Sequence, residues 1–341
     1  MAEAQDAAVA ESPVTRLIGF LHRHRNWLAL VSFLIGLASF LLVQRGERTA
    51  QVLVVTLPLA WLLILAENWL GDLVQSRSRL KLPPGVLRYA VQSVHQQSFF
   101  FTLPFFFYTT TWRSGQAVFT GTLIAAALAS VIDPIYYRHI APRRGVYLTF
   151  HALAVFVATL TALPMLWQLT TLHSLQLAAA ATALLAAPTL VRIIGAQRPR
   201  QWLLLVALTV ALGGGAWLAR PWIPPATLWV SHGVITQDVD TSAREPADAL
   251  KIISADEARK GVCAWTPIRA PRGLHENIRH VWMQNGVTLD SIPLSISGGR
   301  AEGYRAWSCK RNMPTDPRGH WQVRAMTEGG QMIGELRFEV R

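Results

Sequence analysis

Trp202-Leu-Leu-Leu-Val-Ala-Leu-Thr-Val-Ala-Leu-Gly-Gly-Gly-Ala-Trp-Leu-Ala219 runs without a charge into Arg220-Pro221-Trp222 and then Pro224-Pro225. Upstream of this stretch, almost every long segment is as apolar as lipid. Downstream, short alternating runs separated by turn residues take over. The stretch therefore reads as the last span of a membrane domain and its handover to a water-soluble β-domain. Four segments follow: a cytoplasmic N-terminal segment 1–26, a membrane domain 27–219, a linker 220–226 and an exported domain 227–341.

Composition points the same way. Of 341 residues, 51% are hydrophobic and 15% charged, with a mean hydropathy of +0.28; soluble domains carry about 25% charged residues. The net charge is +12, but it is unevenly placed. Residues 1–225 hold 17 Lys and Arg against 7 Asp and Glu, whereas residues 226–341 hold 15 against 13. The basic excess lies between apolar runs, which is a topology signal and not a phosphate-binding face, so nucleic acid is excluded as a partner. No cleavable signal peptide is evident; the first apolar run reads as an uncleaved anchor.

Seven candidate spans stand at 27–43, 52–69, 94–112, 117–137, 146–167, 174–191 and 202–219. Each is long enough for a hydrocarbon core of about 30 Å at 1.5 Å per residue. Spans two to six contain Pro58, Pro104, Pro134, Pro164 and Pro188, tolerated in lipid and suggestive of kinks. Alternate flanks carry thirteen Lys and Arg against three, which puts the N-terminus in the cytoplasm and residues 220–341 outside. Glu67, His95, Asp133 and His151 fall near the cytoplasmic ends of spans two to five. Gln92, His95, Gln96 and Phe99 share a helical face by spacing. Intramembrane polarity of this kind reads either as a proton relay or small polar cavity, or as snorkelling and helix–helix hydrogen bonding at the interface.

From about Thr227 the hydrophobic period becomes two. Strand candidates are 228–235, 249–253, 262–268, 278–284, 287–296, 303–311, 321–325 and 336–340, consistent with an antiparallel sandwich. Asn285-Gly286 signals a two-residue hairpin placing Trp282 opposite Leu289. Ser254 and Glu257 form a capping-box pattern. Cys263-Ala-Trp265 and Trp307-Ser-Cys309 would face each other if their strands pair antiparallel. In an oxidising compartment a Cys263–Cys309 disulfide follows; two separate buried thiols are the alternative. Trp265, Trp282, Trp307, Trp321 and Tyr304 are either core or a sugar-stacking platform. Arg272, His275, Glu276, Arg279, His280 and Arg305 are candidate ligands of an anion or carboxylate pocket, or else a solvated basic rim.

Ile278-Arg-His-Val-Trp282, Gly303-Tyr-Arg-Ala-Trp-Ser-Cys-Lys310, Gly319-His-Trp-Gln-Val323 and Gly334-Glu-Leu-Arg-Phe-Glu-Val340 together resemble a bacterial domain of unknown function, number twenty-nine-fourteen. The membrane half resembles an uncharacterised Gram-negative family, number fifty-nine-twenty-four. These resemblances imply an inner-membrane protein with a periplasmic β-domain and imply no activity. There is no H-E-x-x-H, G-x-S-x-G or P-loop, so neither a metal, a cofactor nor a catalytic residue is expected. The leading expectation is a non-enzymatic membrane protein whose β-domain binds an envelope glycan, peptide or protein. The alternative is a transporter or lipid-handling protein working through the polar residues of the bundle. A third reading is an enzyme using the Arg/His/Glu loop, for which Ser308 or Ser291 beside His280 would have to serve as nucleophile.

Overall fold

The computed structural model describes residues 84–195 and 197–341. The candidate spans 27–43 and 52–69, Pro58 and Glu67 lie outside the described residues. Helices and strands are numbered below within the described part.

The N-terminal half is helical: α1 (Pro84–Thr109), α2 (Gln116–Val131), α3 (Asp133–Ile135) continuing as a π turn (Tyr136–Ile140), α4 (Arg144–Trp167), α5 (Thr171–Ile194) and α6 (Pro199–Leu218). Two of these, α4 and α6, are long and apolar enough to cross a membrane, or three if α2 and the segment Asp133–Ile140 count as one bent span. The expected five spans of this region are thus reduced to two or three. The reasons are local. The first half of α1 carries Gln92, His95, Gln96, Gln97 and Ser98. The continuous apolar stretch of α5 stops at Ala187. The expected span 117–137 is broken at Ile132, whose backbone is extended (φ −80°, ψ 94°), and the chain turns by 95° there. Pro134 forces the break, because it has no N–H to donate to the carbonyl of Ser130. Gln92 Nε2 donates to that carbonyl instead, at 3.0 Å.

Two sheets face each other in the C-terminal part. In the first, β1 (Trp229–Val230) and β2 (Val234–Thr236) pair along one edge of β6 (Val262–Arg269), and β9 (Tyr304–Lys310) pairs along the other. In the second, the order is β5 (Ile252–Ile253), β11 (Met332–Val340), β10 (Gly319–Thr327), β7 (His275–Gln284) and β8 (Val287–Ser297). All pairs are antiparallel except β5 with β11. A ribbon of β3 (Val239–Asp240) and β4 (Glu245–Pro246) lies over the outer face of the first sheet, where Val239 packs with Cys263 and Trp265. Between the sheets, Ile235, Val262 and Ala264 meet Trp282, Trp321, Val323 and Phe338. Trp321 stacks on Phe338 with 5.7 Å between ring centroids. The capping box forms at α7 (Ala255–Lys260), with Glu257 N donating to Ser254 Oγ at 3.2 Å.

The register of β6 with β9 places Cys263 opposite Cys309 and Trp265 opposite Trp307, as expected, and the cysteines are joined with Cα atoms 4.0 Å apart. The hairpin forms through Asn285 and Gly286, both at positive φ (49° and 84°), as a two-residue turn matched to strand twist requires. Its register differs from expectation by one. Trp282 faces Asp290, because Leu289 is an extra residue that bulges from β8.

The β-domain sits directly on the helix ends. Residues Ile223 to Leu228 are buried, so the chain is packed from Ile223 onward, while Pro221 and Trp222 are exposed. Gln116 Nε2 donates to Met332 O at 2.8 Å and Gln331 Nε2 to Ile223 O at 3.0 Å. Glu276 Oε2 accepts from Thr171 N, at the start of α5, at 2.7 Å. Gly273, at φ 83°, brings its backbone against the Gln168 side chain, where a Cβ would lie 2.7 Å from the amide. These contacts all involve the α1–α2 and α4–α5 connections and the end of α6. Arg113 and Arg220 lie at these helix ends, whereas Arg138, Arg143, Arg144, Arg198 and Arg200 lie at the opposite ones.

Candidate functional site

Three of the four sequence-singled polar residues of the bundle come together at the helix ends remote from the β-domain. His95 on α1 is fully buried and bonds on both sides of its ring. Its Nδ1 lies 2.9 Å from Tyr136 Oη, and its Nε2 lies 3.2 Å from His151 Nδ1. Asp133 joins through Gln92, whose Nε2 donates to Asp133 Oδ1 at 2.8 Å. The spacing works because Gln92 and His95 are three apart on α1, and Tyr147 and His151 four apart on α4. Phe150 closes the cluster edge-on, 5.3 Å from the His95 ring. Chemically, an imidazole–imidazole bond needs one ring N–H and one bare nitrogen. The Tyr136–His95–His151 row is therefore a continuous hydrogen-bonded chain in which the tautomer of one ring sets that of the other. Tyr136 was not singled out by the sequence; the π turn that aims it inward carries no pattern of its own.

The six candidate ligands in the β-domain do not converge. Strand alternation along β7 sends Glu276 and His280 inward and His275 and Arg279 outward. Arg272 is exposed in the preceding loop. Arg305 is on the other sheet, paired with Glu245 at 3.2 Å and Glu302 at 3.4 Å and donating to Ala243 O at 2.8 Å. His275 bonds Ser297 Oγ through Nδ1 at 3.0 Å. Burial raises the Glu276 carboxyl above the ordinary carboxylate range, partly offset by the bond from Thr171.

His280 is part of a polar network sealed between the sheets. Its Nε2 meets Thr266 Oγ1 at 2.8 Å and its Nδ1 meets Ser308 Oγ at 2.8 Å, while Trp282 Nε1 donates to Ser308 Oγ at 3.0 Å. All four side chains are buried, and burial lowers the His280 pKa from 6.5 to about 4. The Ser308–His280 contact exists, but it is packed away from both grooves described below. Lys310, also buried, forms an ion pair with Asp290 across the gap between β9 and β8. The tryptophans form no continuous platform: Trp282 and Trp321 are in the core, and Trp265 is buried under the β3–β4 ribbon with its Nε1 donating to Arg244 O at 3.0 Å.

Outward residues of β7 and β8 instead line an open groove of about 700 Å³, formed by Asn277, Arg279, Ser291, Pro293, Ser295 and Glu328 among others. Arg279 is steadied by donation to Glu328 O at 3.1 Å, and Ser295 Oγ donates to Asn277 Oδ1 at 3.1 Å. Of these, only Arg279 was named as a ligand from the sequence. Ser291, Pro293 and Ser295 become its neighbours through a β7–β8 register that depends on the Leu289 bulge, and Glu328 through the pairing of β10 with β7. Among the described residues no group of three or more His, Cys, Asp or Glu is arranged to hold a metal ion.

An apolar helical half fused to a two-sheet β-domain defines the class of protein. The model of a family of unknown function, DUF5924, matches residues 7–264, or 258 of the 341 residues, and the chain belongs to that family. A second model, for a protein of unknown function, DUF2914, matches residues 275–340. No curated protein matches the chain.

Proposed function

We propose that this chain is a multi-pass protein of the bacterial inner membrane that holds its β-domain at the periplasmic face to bind an envelope component, without catalysing a reaction. In this reading the crossings within the described residues are those of α4, α6 and the bent pair of α2 with Asp133–Ile140, with the N-terminus in the cytoplasm. The seating of the β-domain on the helix ends opposite the more arginine-rich connections supports that orientation. The observation that carries the binding role is the groove on β7 and β8. It is open, of ligand size, and lined by hydroxyl, amide, guanidinium and carboxylate groups beside the apolar Ile278, Pro293 and Leu294, a mixture suited to a glycan or an extended peptide.

Two measurements test it. An impermeant maleimide should label Cys263 and Cys309 in outer-membrane-permeabilised cells only after reduction; labelling only after lysis would refute the orientation. Detergent-purified chain should be retained on purified cell-wall sacculi or on immobilised envelope proteins, and Arg279→Ala with Asn277→Ala should abolish retention. Unchanged retention by the double variant would remove the groove from the proposal.

A second reading, a proton-coupled transporter, is favoured by the Tyr136–His95–His151 row. Proteoliposomes with a trapped pH dye would show proton flux that His95→Ala and His151→Ala eliminate. Absence of flux in the wild type would rule this reading out.

A further inference from the structure

We infer that a cleft at the β-domain end of the bundle holds one acyl chain of an anionic phospholipid, with Arg220 beside its headgroup. This inference rests on the membrane reading above and is independent of the β7–β8 groove. The cleft, about 330 Å³, lies between α2, α4 and α6 and is lined by Val118, Phe119, Phe156, Gly215, Ala216 and Trp222 among others. Its one hydroxyl, Thr122 Oγ1, donates to Val118 O at 2.9 Å. The volume is at the low end of the range for small-molecule sites, about 300–1,000 Å³, which suits an unbranched chain better than a ring system.

Two further observations point to this occupant. The first is Gly215. Glycine inside a helix is unfavourable relative to alanine, and its neighbour Gly213 at least lies against α5, where an added Cβ would be 3.8 Å from Ala183. A Cβ at Gly215 would meet no atom of the described residues within 4 Å. Gly215 lines the cleft, so a large side chain at this position would extend into it. The second is Arg220. It belongs to the single turn Arg220–Trp222 that closes the cleft, its guanidinium lies 4.4 Å from the Trp217 ring centroid, and it donates to Trp217 O at 3.3 Å. Among the described residues no carboxylate pairs with it. A cation flanked by Trp217 and the exposed Trp222, at the end of an apolar helix, is placed at headgroup depth. An anionic phosphodiester there complements the charge while one tail fills the cleft.

The test uses the full chain, delipidated in detergent, with phosphatidylglycerol and phosphatidylcholine as probes and native mass spectrometry as readout. Carbonate extraction of membranes comes first. If the chain is released from the membrane, the membrane reading fails and this inference with it. If it is retained, one phosphatidylglycerol should bind at least tenfold more tightly than phosphatidylcholine. Gly215→Leu should abolish binding of both lipids, and Arg220→Gln should erase the preference between them. Val118→Trp, at an exposed position on the opposite wall, serves as a second cleft-filling variant should Gly215→Leu not fold. Equal binding of both lipids by the wild type, or undiminished binding by a folded cleft-filling variant, overturns the inference. So does a wild-type dimer that Gly215→Leu converts to a monomer, because the stripe Ala207, Ala211, Gly215 and Ala219 would then be covered by a second copy.

Discussion

His280 should make the β-domain sensitive to acid. Its ring is buried and neutral, held between Thr266 and Ser308, with its pKa lowered from 6.5 to about 4. In the unfolded chain the ring takes a proton near pH 6.5, whereas in the folded chain it does so only near pH 4. The unfolded state therefore binds more protons between those values, and stability falls as pH falls through that window. At 1.36 kcal/mol per pH unit the full loss is about 3 kcal/mol, roughly 10–15 °C in Tm for a domain of this size. The comparison is between wild type and His280→Gln, in which an amide replaces the ring but does not titrate. Thermal unfolding of the full chain in detergent, followed by tryptophan emission from pH 8 to pH 4, gives each protein's slope. The difference between slopes isolates His280 from every other titrating group. Parallel slopes would show that His280 is not held neutral by the sandwich, and the sealed network would have to be abandoned.

Further outcomes follow from the same geometry. Replacing both cysteines with serine should destabilise the β-domain by about 4 kcal/mol in the chain-entropy view, given the 46-residue separation of the bridge; unfolding with and without reductant measures it, and an unchanged midpoint counts against the bridge. Trp321→Ala should cost about 3–5 kcal/mol, since its ring is wholly buried against Phe338 and its Nε1 donates to Pro317 O; denaturant titration reads the loss. At the junction, Glu276→Ala should leave the Thr171 N–H unmet and cost about 1–3 kcal/mol, whereas Glu276→Gln keeps an acceptor without a charge to bury. Because burial raises the Glu276 pKa, its contribution is full below the ordinary carboxylate pKa and is lost as pH rises through the folded value, opposite in sense to His280. Hydrogen exchange at residues 168–173 should therefore rise in the alanine variant and stay at or below the wild-type rate in the glutamine variant at pH 8.

What could be read from the sequence was local. The Asn285-Gly286 turn and the Ser254–Glu257 cap are specified within four residues, and both form. The Cys263–Cys309 register was legible because two Cys-x-Trp mirror patterns agree on one alignment. Leu289 was not, because a bulge adds a residue without altering the apolar alternation on either side of it. The six polar residues around 272–305 were grouped by closeness in sequence. Strand alternation then separated Glu276 and His280 from His275 and Arg279. In the bundle, His95 and His151 were singled out for being polar in apolar surroundings, but their contact depends on how α1 packs on α4. Hydropathy over-counted the spans, since a window average does not register the break that Pro134 imposes at Ile132 or the polar face of α1.

The two family matches meet between residues 264 and 275, but the sandwich does not divide there. β1, β2 and the first three of the eight residues of β6 fall within the first match, while β9, which completes the same sheet, falls within the second. The disulfide crosses the same line, from Cys263 to Cys309. The boundary between the two family matches and the boundary of the folding unit are therefore offset in this chain. A gene fragment cut at the family boundary would encode five strands β7–β11 with one apolar face uncovered and a cysteine without its mate. In this chain the covering strands β1, β2 and the start of β6 come from the upstream match.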